Sequence, residues 1–134
     1  MNCPVCKEVM IVLELEQVEA DHCTACGGIW LDGSELELLL AGVQAKNDLL
    51  ASFKIDPRSS EQKRKCPICS RNMQKVLCGS DHSIRIDRCQ KNHGLWFDEG
   101  ELQALIKSEP ANFNQHVFRF LQTMFAVKNK KQEV

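Results

Sequence analysis

The sequence predicts a small, metal-stabilised α+β fold: two tandem modules, each a β-hairpin with cysteine knuckles followed by a short helix, and then a C-terminal amphipathic helix. Three observations predict it. The chain carries eight cysteines and no tyrosine among 134 residues. Six of those cysteines fall in Cys-x-x-Cys pairs: Cys3/Cys6, Cys23/Cys26 and Cys66/Cys69. The third observation is a repeat. Gly28-Ile29-Trp30-Leu31-Asp32 returns as Gly94-Leu95-Trp96-Phe97-Asp98, and Cys3-Pro4-Val5-Cys6 returns as Cys66-Pro67-Ile68-Cys69. Two anchors in the same order make a duplicated unit, divided as 1–41, a helix extension and linker over 42–65, a second module over 66–108, and a helix with a basic tail over 111–134.

Composition excludes several classes. With 43% hydrophobic residues the chain is neither disordered nor fibrous. Seventeen Lys and Arg against eighteen Asp and Glu leave no bulk positive charge to draw it onto a polyanion. No basic and apolar leader precedes Cys3, and no stretch approaches the roughly 18 apolar residues of a membrane span. A soluble cytoplasmic protein is therefore expected. In that reducing compartment cysteines bind metal or do redox work rather than form structural disulfides.

In the first module the Cys3/Cys6 pair is followed, across a hairpin-length spacer, by the Cys23/Cys26 pair. Two such pairs at that separation fit one tetrahedral Zn²⁺, each pair on a tight turn that points both thiolates inward. The second module repeats Cys66, Cys69 and Cys89. Its fourth ligand is less direct, because Asn92 stands where the repeat puts Cys26. His93 comes next and its imidazole reaches further than a thiol, so Cys66, Cys69, Cys89 and His93 form the second expected site. Cys78 competes for the place, but it falls in the middle of the hairpin and reads as a free thiol. Four protein ligands close a zinc shell, which marks both sites as structural rather than catalytic.

Between the ligand pairs the chain reads as hairpin. Met10 to Glu16 alternates in part, and Ser83-Ile84-Arg85-Ile86-Asp87-Arg88 alternates cleanly. The run Cys78 to His82 makes the second hairpin turn the longer one. Each module then enters a helix whose apolar residues recur at i, i+3, i+4: Leu36, Leu39, Leu40 and Leu102, Leu105, Ile106. Asp32 and Asp98 stand three places before Glu35 and Glu101, so these carboxylates are expected to cap the helices, not to do acid–base catalysis. Trp30 and Trp96 are expected to shield the metal sites and wedge helix against hairpin; His22 and His82 read as surface histidines. Lys54 to Lys65, polar and holding Pro57, reads as a flexible linker, and Ser108-Glu109-Pro110 stops the second helix.

Cys-Pro-x-Cys, a short hairpin, Cys-x-x-Cys-Gly-Gly-Ile-Trp-Leu-Asp and Glu-Leu resemble the bacterial transcription-factor-IIB-type zinc-ribbon proteins. Cys89 to Leu102 is similar to the variant in which His replaces the last Cys before Gly-x-Trp. The resemblance spans both modules, about two thirds of the chain, and implies one zinc in each, on the eight residues already named. It implies transcription more weakly than it implies zinc.

Three roles follow as expectations. A protein-interaction or assembly module, with no enzymatic activity, is suggested by the Phe113–Val127 segment. There Val117, Phe118, Phe120, Leu121, Met124, Phe125 and Val127 take about half the circumference of a helix. A nucleic-acid-binding transcriptional regulator draws on Arg58, Lys63, Arg64, Lys65, Arg85, Arg88, Lys128, Lys130 and Lys131. A thiol oxidoreductase or metal chaperone would use Cys78 or a second-module site left open if His93 does not ligate. Loading two zincs takes the formal charge from −1 to about −4, which favours protein partners over nucleic acid.

Overall fold

A computed structural model describes residues 1–56, 62–115 and 119. Each module contributes a three-stranded antiparallel unit: β1 (Ile11–Leu15), β2 (Val18–His22) and β3 (Ile29–Asp32) from the first. A short strand, β4 (Lys54–Ile55), follows, and the second module supplies β5 (Gln74–Cys78), β6 (Ile84–Arg88) and β7 (Gly94–Phe97). The two units do not sit apart. They merge into one seven-stranded sheet, in the order β1-β2-β3-β7-β6-β5-β4. At the seam β3 pairs antiparallel with β7, and Trp30 lies opposite Trp96, its own counterpart in the repeat. A residue paired with its own equivalent lies on a local two-fold axis, so the seam is self-complementary, like the interface of a symmetric dimer built within one chain.

Strand alternation sorts the two faces of the sheet. Leu31, Val76, Ile84, Ile86, Leu95 and Phe97 point to one face, where they bury Leu36 and Leu39 from helix α1 (Gly33–Leu39), Leu40 at its C-cap, and Leu102, Leu105 and Ile106 from helix α3 (Glu101–Ser108). The apolar positions read at helical spacing are therefore all in the core. Trp30 and Trp96 point to the opposite face, into a second cluster with Met10, Met73 and every cysteine but Cys78. They do not wedge helix against hairpin, because one-residue alternation along β3 and β7 sends Trp and helix to opposite sides of the sheet.

The linker reading also changes. After a break at Leu40 to Gly42, helix α2 (Val43–Ser52) buries Leu49, and the chain then pairs as β4 along the outer edge of β5. The Asp56 amide donates to the Lys75 carbonyl at 3.0 Å, and Arg85 Nε meets Asp56 Oδ2 at 2.7 Å. The first module's run-on thus serves the second module: Phe53 lies under the Arg88 guanidinium at 5.8 Å, and His82 Nε2 meets the Ser52 carbonyl at 3.0 Å. Residues 57–61 lie outside the described residues.

The helix entries split one capping motif between them. In α1 the Asp32 carboxylate accepts from the Glu35 amide at 3.0 Å, as expected of an N-cap. Asp98 does not cap. Gly100, at φ +88°, is the residue before α3, and Asp98 instead accepts from the Trp96 indole N–H at 3.0 Å. What survives there is the reciprocal half, the Asp98 amide donating to Glu101 Oε2 at 3.3 Å. Beyond α3 the chain turns through a single 3-10 turn at Pro110–Asn112. Phe113 is buried and bridged to Leu40, and the Asn114 amide donates to the Leu39 carbonyl at 2.9 Å. The rest of the expected Phe113–Val127 helix, residues 116–118 and 120–127, lies outside the described residues, as does the basic tail over 128–134.

Candidate metal centres

The four knuckles are built by backbone geometry. The Lys7, Gly27 and Ser70 amides donate to the Cys3, Cys23 and Cys66 carbonyls at 3.0, 2.8 and 2.8 Å, and all three donors have positive φ. That left-handed step turns the chain back so that both cysteines of a pair face inward. The fourth knuckle keeps its length but reverses its last two roles. In Cys26-Gly27 the ligand comes first and the positive-φ residue second; in Asn92-His93 the positive-φ residue (φ 61°) comes first and the imidazole second. Asn tolerates this conformation better than most side chains, which explains a ligand shifted by one place in the repeat. The closing bonds stay in register, Cys23 N–H to Gly28 O at 3.0 Å and Cys89 N–H to Gly94 O at 3.2 Å.

The folded chain gathers Cys3, Cys6, Cys23 and Cys26 in one group and Cys66, Cys69, Cys89 and His93 in another, the ligand atoms of each within 4.8 Å of one another. Ligand bonds of the usual zinc lengths set tetrahedral edges of about 3.8 Å between two sulfurs and about 3.6 Å between sulfur and nitrogen. Cys3 and Cys26 sulfurs are 3.7 Å apart, as are those of Cys69 and Cys89. His93 Nδ1 lies 3.5 Å from Cys89 Sγ and 3.9 Å from Cys66 Sγ. Both groups therefore have the size and donor chemistry of zinc sites, and His93 Nδ1 is the nitrogen in position to bind. Cys78 is elsewhere, fully buried on the helix face of the sheet.

Backbone amides already point at the sulfurs. Val5 and Cys6 donate to Cys3 Sγ at 3.3 Å, and Ile68 and Lys91 donate to Cys66 and Cys89 Sγ at 3.4 Å. The Cys26 and Ala25 amides help hold the Cys23 thiol down to about 7. Burial works the other way, pushing Cys26 up to about 12 and Cys66 up to about 11. Sulfurs so crowded cannot all ionise without a cation among them, and a divalent ion that takes thiolate ligands resolves the conflict.

Each module packs on the glycine beside the other's knuckle. A methyl placed on Gly28 would come 2.1 Å from the Trp96 ring, and one on Gly94 would come 2.7 Å from the Trp30 ring. The indoles cross the two-fold axis and each lies on the glycine beside the opposite knuckle, where only hydrogen leaves room. The Glu99 side chain packs over Gly27 of the first module, and the Gly33 amide donates to the His93 carbonyl of the second at 3.1 Å. Sequence reasoning missed this crossing; its signal was the small residue two places before each Trp. The two histidines read as surface residues are half-buried and engaged, His22 Nδ1 lying 3.2 Å from the Gly28 carbonyl.

Residues 2–42 and 65–108 match the family of transcription factor zinc-fingers of the transcription-factor-IIB ribbon type. The chain belongs to that family, with one zinc ribbon in each module and two groups of ligands consistent with two zinc ions. No curated protein and no solved structure matches the chain. Among the described residues no helix is long and apolar enough to cross a membrane.

Proposed function

We propose that the protein is a non-enzymatic assembly module of the cytoplasm, in which two structural zincs hold a rigid sheet and the apolar Phe113–Val127 segment joins copies of the chain. The observation that carries this reading is closure of both metal sites. Four side chains gather at each one, a full tetrahedral shell that leaves no coordination position for water or substrate, and the opposite module's tryptophan packs on the glycine beside it. Redox work has little support, since burial of the Cys78 thiol pushes it up to about 12 and removes it from reagents. Phe113 is already committed to Leu40, so the associating surface starts after it.

Light scattering over a concentration series tests the reading. The mass should rise from 15.2 kDa toward twice that value, and Leu121→Asp should hold it at the monomer. A mass fixed at 15.2 kDa at every concentration contradicts it.

A second reading, nucleic-acid binding, is favoured by one feature. A cleft of about 280 Å³ beside the second site is lined by Arg71, Asn72, Cys89, Gln90 and Lys91, both cations being exposed. Against it, Arg85 is paired with Asp56 and Arg88 is held by Phe53 and Asn92, so two of the expected basic contacts are already engaged. Anisotropy of labelled oligonucleotides at stated salt separates the two readings; binding that weakens steeply with salt supports the second.

A further inference from the structure

The outer edge of β5 is covered by β4, and β4 is the end of the run that follows the first module's helix. β1 holds the place of β5 in the repeat, counted from the Cys3 and Cys66 knuckles, yet no strand lies along its outer side among the described residues. Its edge groups can be assigned. The two-residue turn Glu16-Gln17, with φ of 50° and 73°, makes Leu15 and Val18 a hydrogen-bonded pair. Alternation then directs Leu13 and Ile11 toward β2, and turns the amides and carbonyls of Val12 and Glu14 outward. Lys75, the counterpart of Val12, uses its outward carbonyl to accept from Asp56. Around this edge Val9, Val12 and Ile11 are 75%, 60% and 48% exposed, an apolar flank along a strand with no outer neighbour among the described residues.

The end of the described chain lies on the module that carries that edge. The bridge from Phe113 to Leu40 and the bond from Asn114 to Leu39 fasten the run after α3 onto the first module's helix. The sequence then repeats the pattern of α2. Leu49, Leu50 and Phe53, which α2 and its end contribute to the core, are matched at the same spacing by Phe120, Leu121 and Met124. Phe125 and Ala126 follow where Lys54 and Ile55 form β4. Residues 43–55 carry the chain from the end of α1 to the edge of β5, and residues 114–134 are more than enough for a path of that length.

We infer that the C-terminal segment, residues 114–127, docks in cis on the first module and adds a strand to the free edge of β1, with Phe125 opposite Glu14 and Val127 opposite Val12. This rests on the assembly reading only in taking the segment to be adhesive, and it names the segment's occupancy in the dilute monomer. Assembly would then exchange the segment between copies, using the same contacts.

Amide hydrogen exchange on the full zinc-loaded chain, at a concentration where light scattering gives a monomer, is the test. The Val12 and Glu14 amides should exchange at least ~100-fold more slowly than in an unstructured peptide. The double variant Leu121→Asp/Phe125→Pro should bring both back to within about tenfold of the unstructured rate, while the β3 and β7 amides stay protected and report an intact fold. Rapid exchange of Val12 and Glu14 in the full chain overturns the inference, as does protection that the variant leaves unchanged. Protection found only in a dimer overturns docking in cis and leaves the assembly reading standing. A monomer at every concentration with protected edge amides does the reverse.

Discussion

Gly28→Ala tests the crossed tryptophans most sharply. A methyl there would sit 2.1 and 2.4 Å from two carbons of the Trp96 ring. Carbon atoms rest about 3.5–4.0 Å apart, so ring or backbone must retreat by about 1.5 Å. Trp96 has nowhere to go: it is fully buried, and its indole N–H is held by Asp98 at 3.0 Å. Overpacking of this kind costs about 1–3 kcal/mol, and a rigid ring against a backbone-attached methyl belongs at the upper end. A loss of about 3 kcal/mol lowers the melting temperature of a chain this size by about 10 °C. Gly33→Ala is the control. Its added carbon meets only the Asn92 carbonyl, at 3.5 Å, and it lies in a helix where Ala is favoured, so its effect should stay within about 0.5 kcal/mol. Thermal melts of both variants, each shown to hold two zincs and followed by tryptophan fluorescence, decide the matter. A Gly28→Ala protein that melts within about 2 °C of wild type refutes the crossed packing.

His93→Ala should lower tightly held zinc from two to one per chain after mild chelator competition, whereas His93→Cys should keep both; metal analysis of the desalted protein checks this. Lys75 and Asp87 form a buried ion pair at 2.6 Å, and burial pushes the Asp87 carboxyl up despite the lysine. Lys75→Met alone strands that carboxylate and should cost about 3–5 kcal/mol in denaturant titrations, while Lys75→Met/Asp87→Leu should recover most of the loss. Because the folded form holds the Asp87 proton more tightly than the unfolded chain does, this group favours the folded state most below its ordinary range near 3.8, and that advantage is lost as pH rises through the shifted value. Thiol reagents should find no fast-reacting cysteine in the zinc-loaded protein and eight after chelation in denaturant, since Cys78 is buried and the other seven hold metal.

The local chemistry could be read from the chain. Cys-x-x-Cys spacing drew the first site, and the repeat drew the second as far as Cys89. His93 followed because an imidazole can make up for a one-residue shift, and Asn92 at positive φ supplies the reason. The helix cores were legible because Leu36, Leu39 and Leu40 keep helical spacing. What escaped depended on partners distant in sequence. The seam between β3 and β7 involves four residues on each side, and nothing within Ile29-Trp30-Leu31-Asp32 names its neighbour. β4 is only two exposed residues long and gains its order from the edge of β5, so its sequence reads as linker. Asp98 looked like Asp32, but glycine stands one place earlier in Asp32-Gly33-Ser34-Glu35 than in Asp98-Glu99-Gly100-Glu101. That shift, with the Trp96 indole competing for the carboxylate, turned a cap into a tryptophan anchor. Trp30 has no such anchor: its indole nitrogen is buried with no hydrogen-bond partner among the described residues, while Asp32 caps α1.

The central claim is that two closed zinc sites make this fold, and zinc-edge X-ray absorption of the purified protein tests it most directly. Two zincs per chain should share a first shell of seven sulfurs and one nitrogen, with sulfur at about 2.3 Å and no oxygen. A shell containing an oxygen ligand, or a folded chain that holds fewer than two zincs, would contradict it.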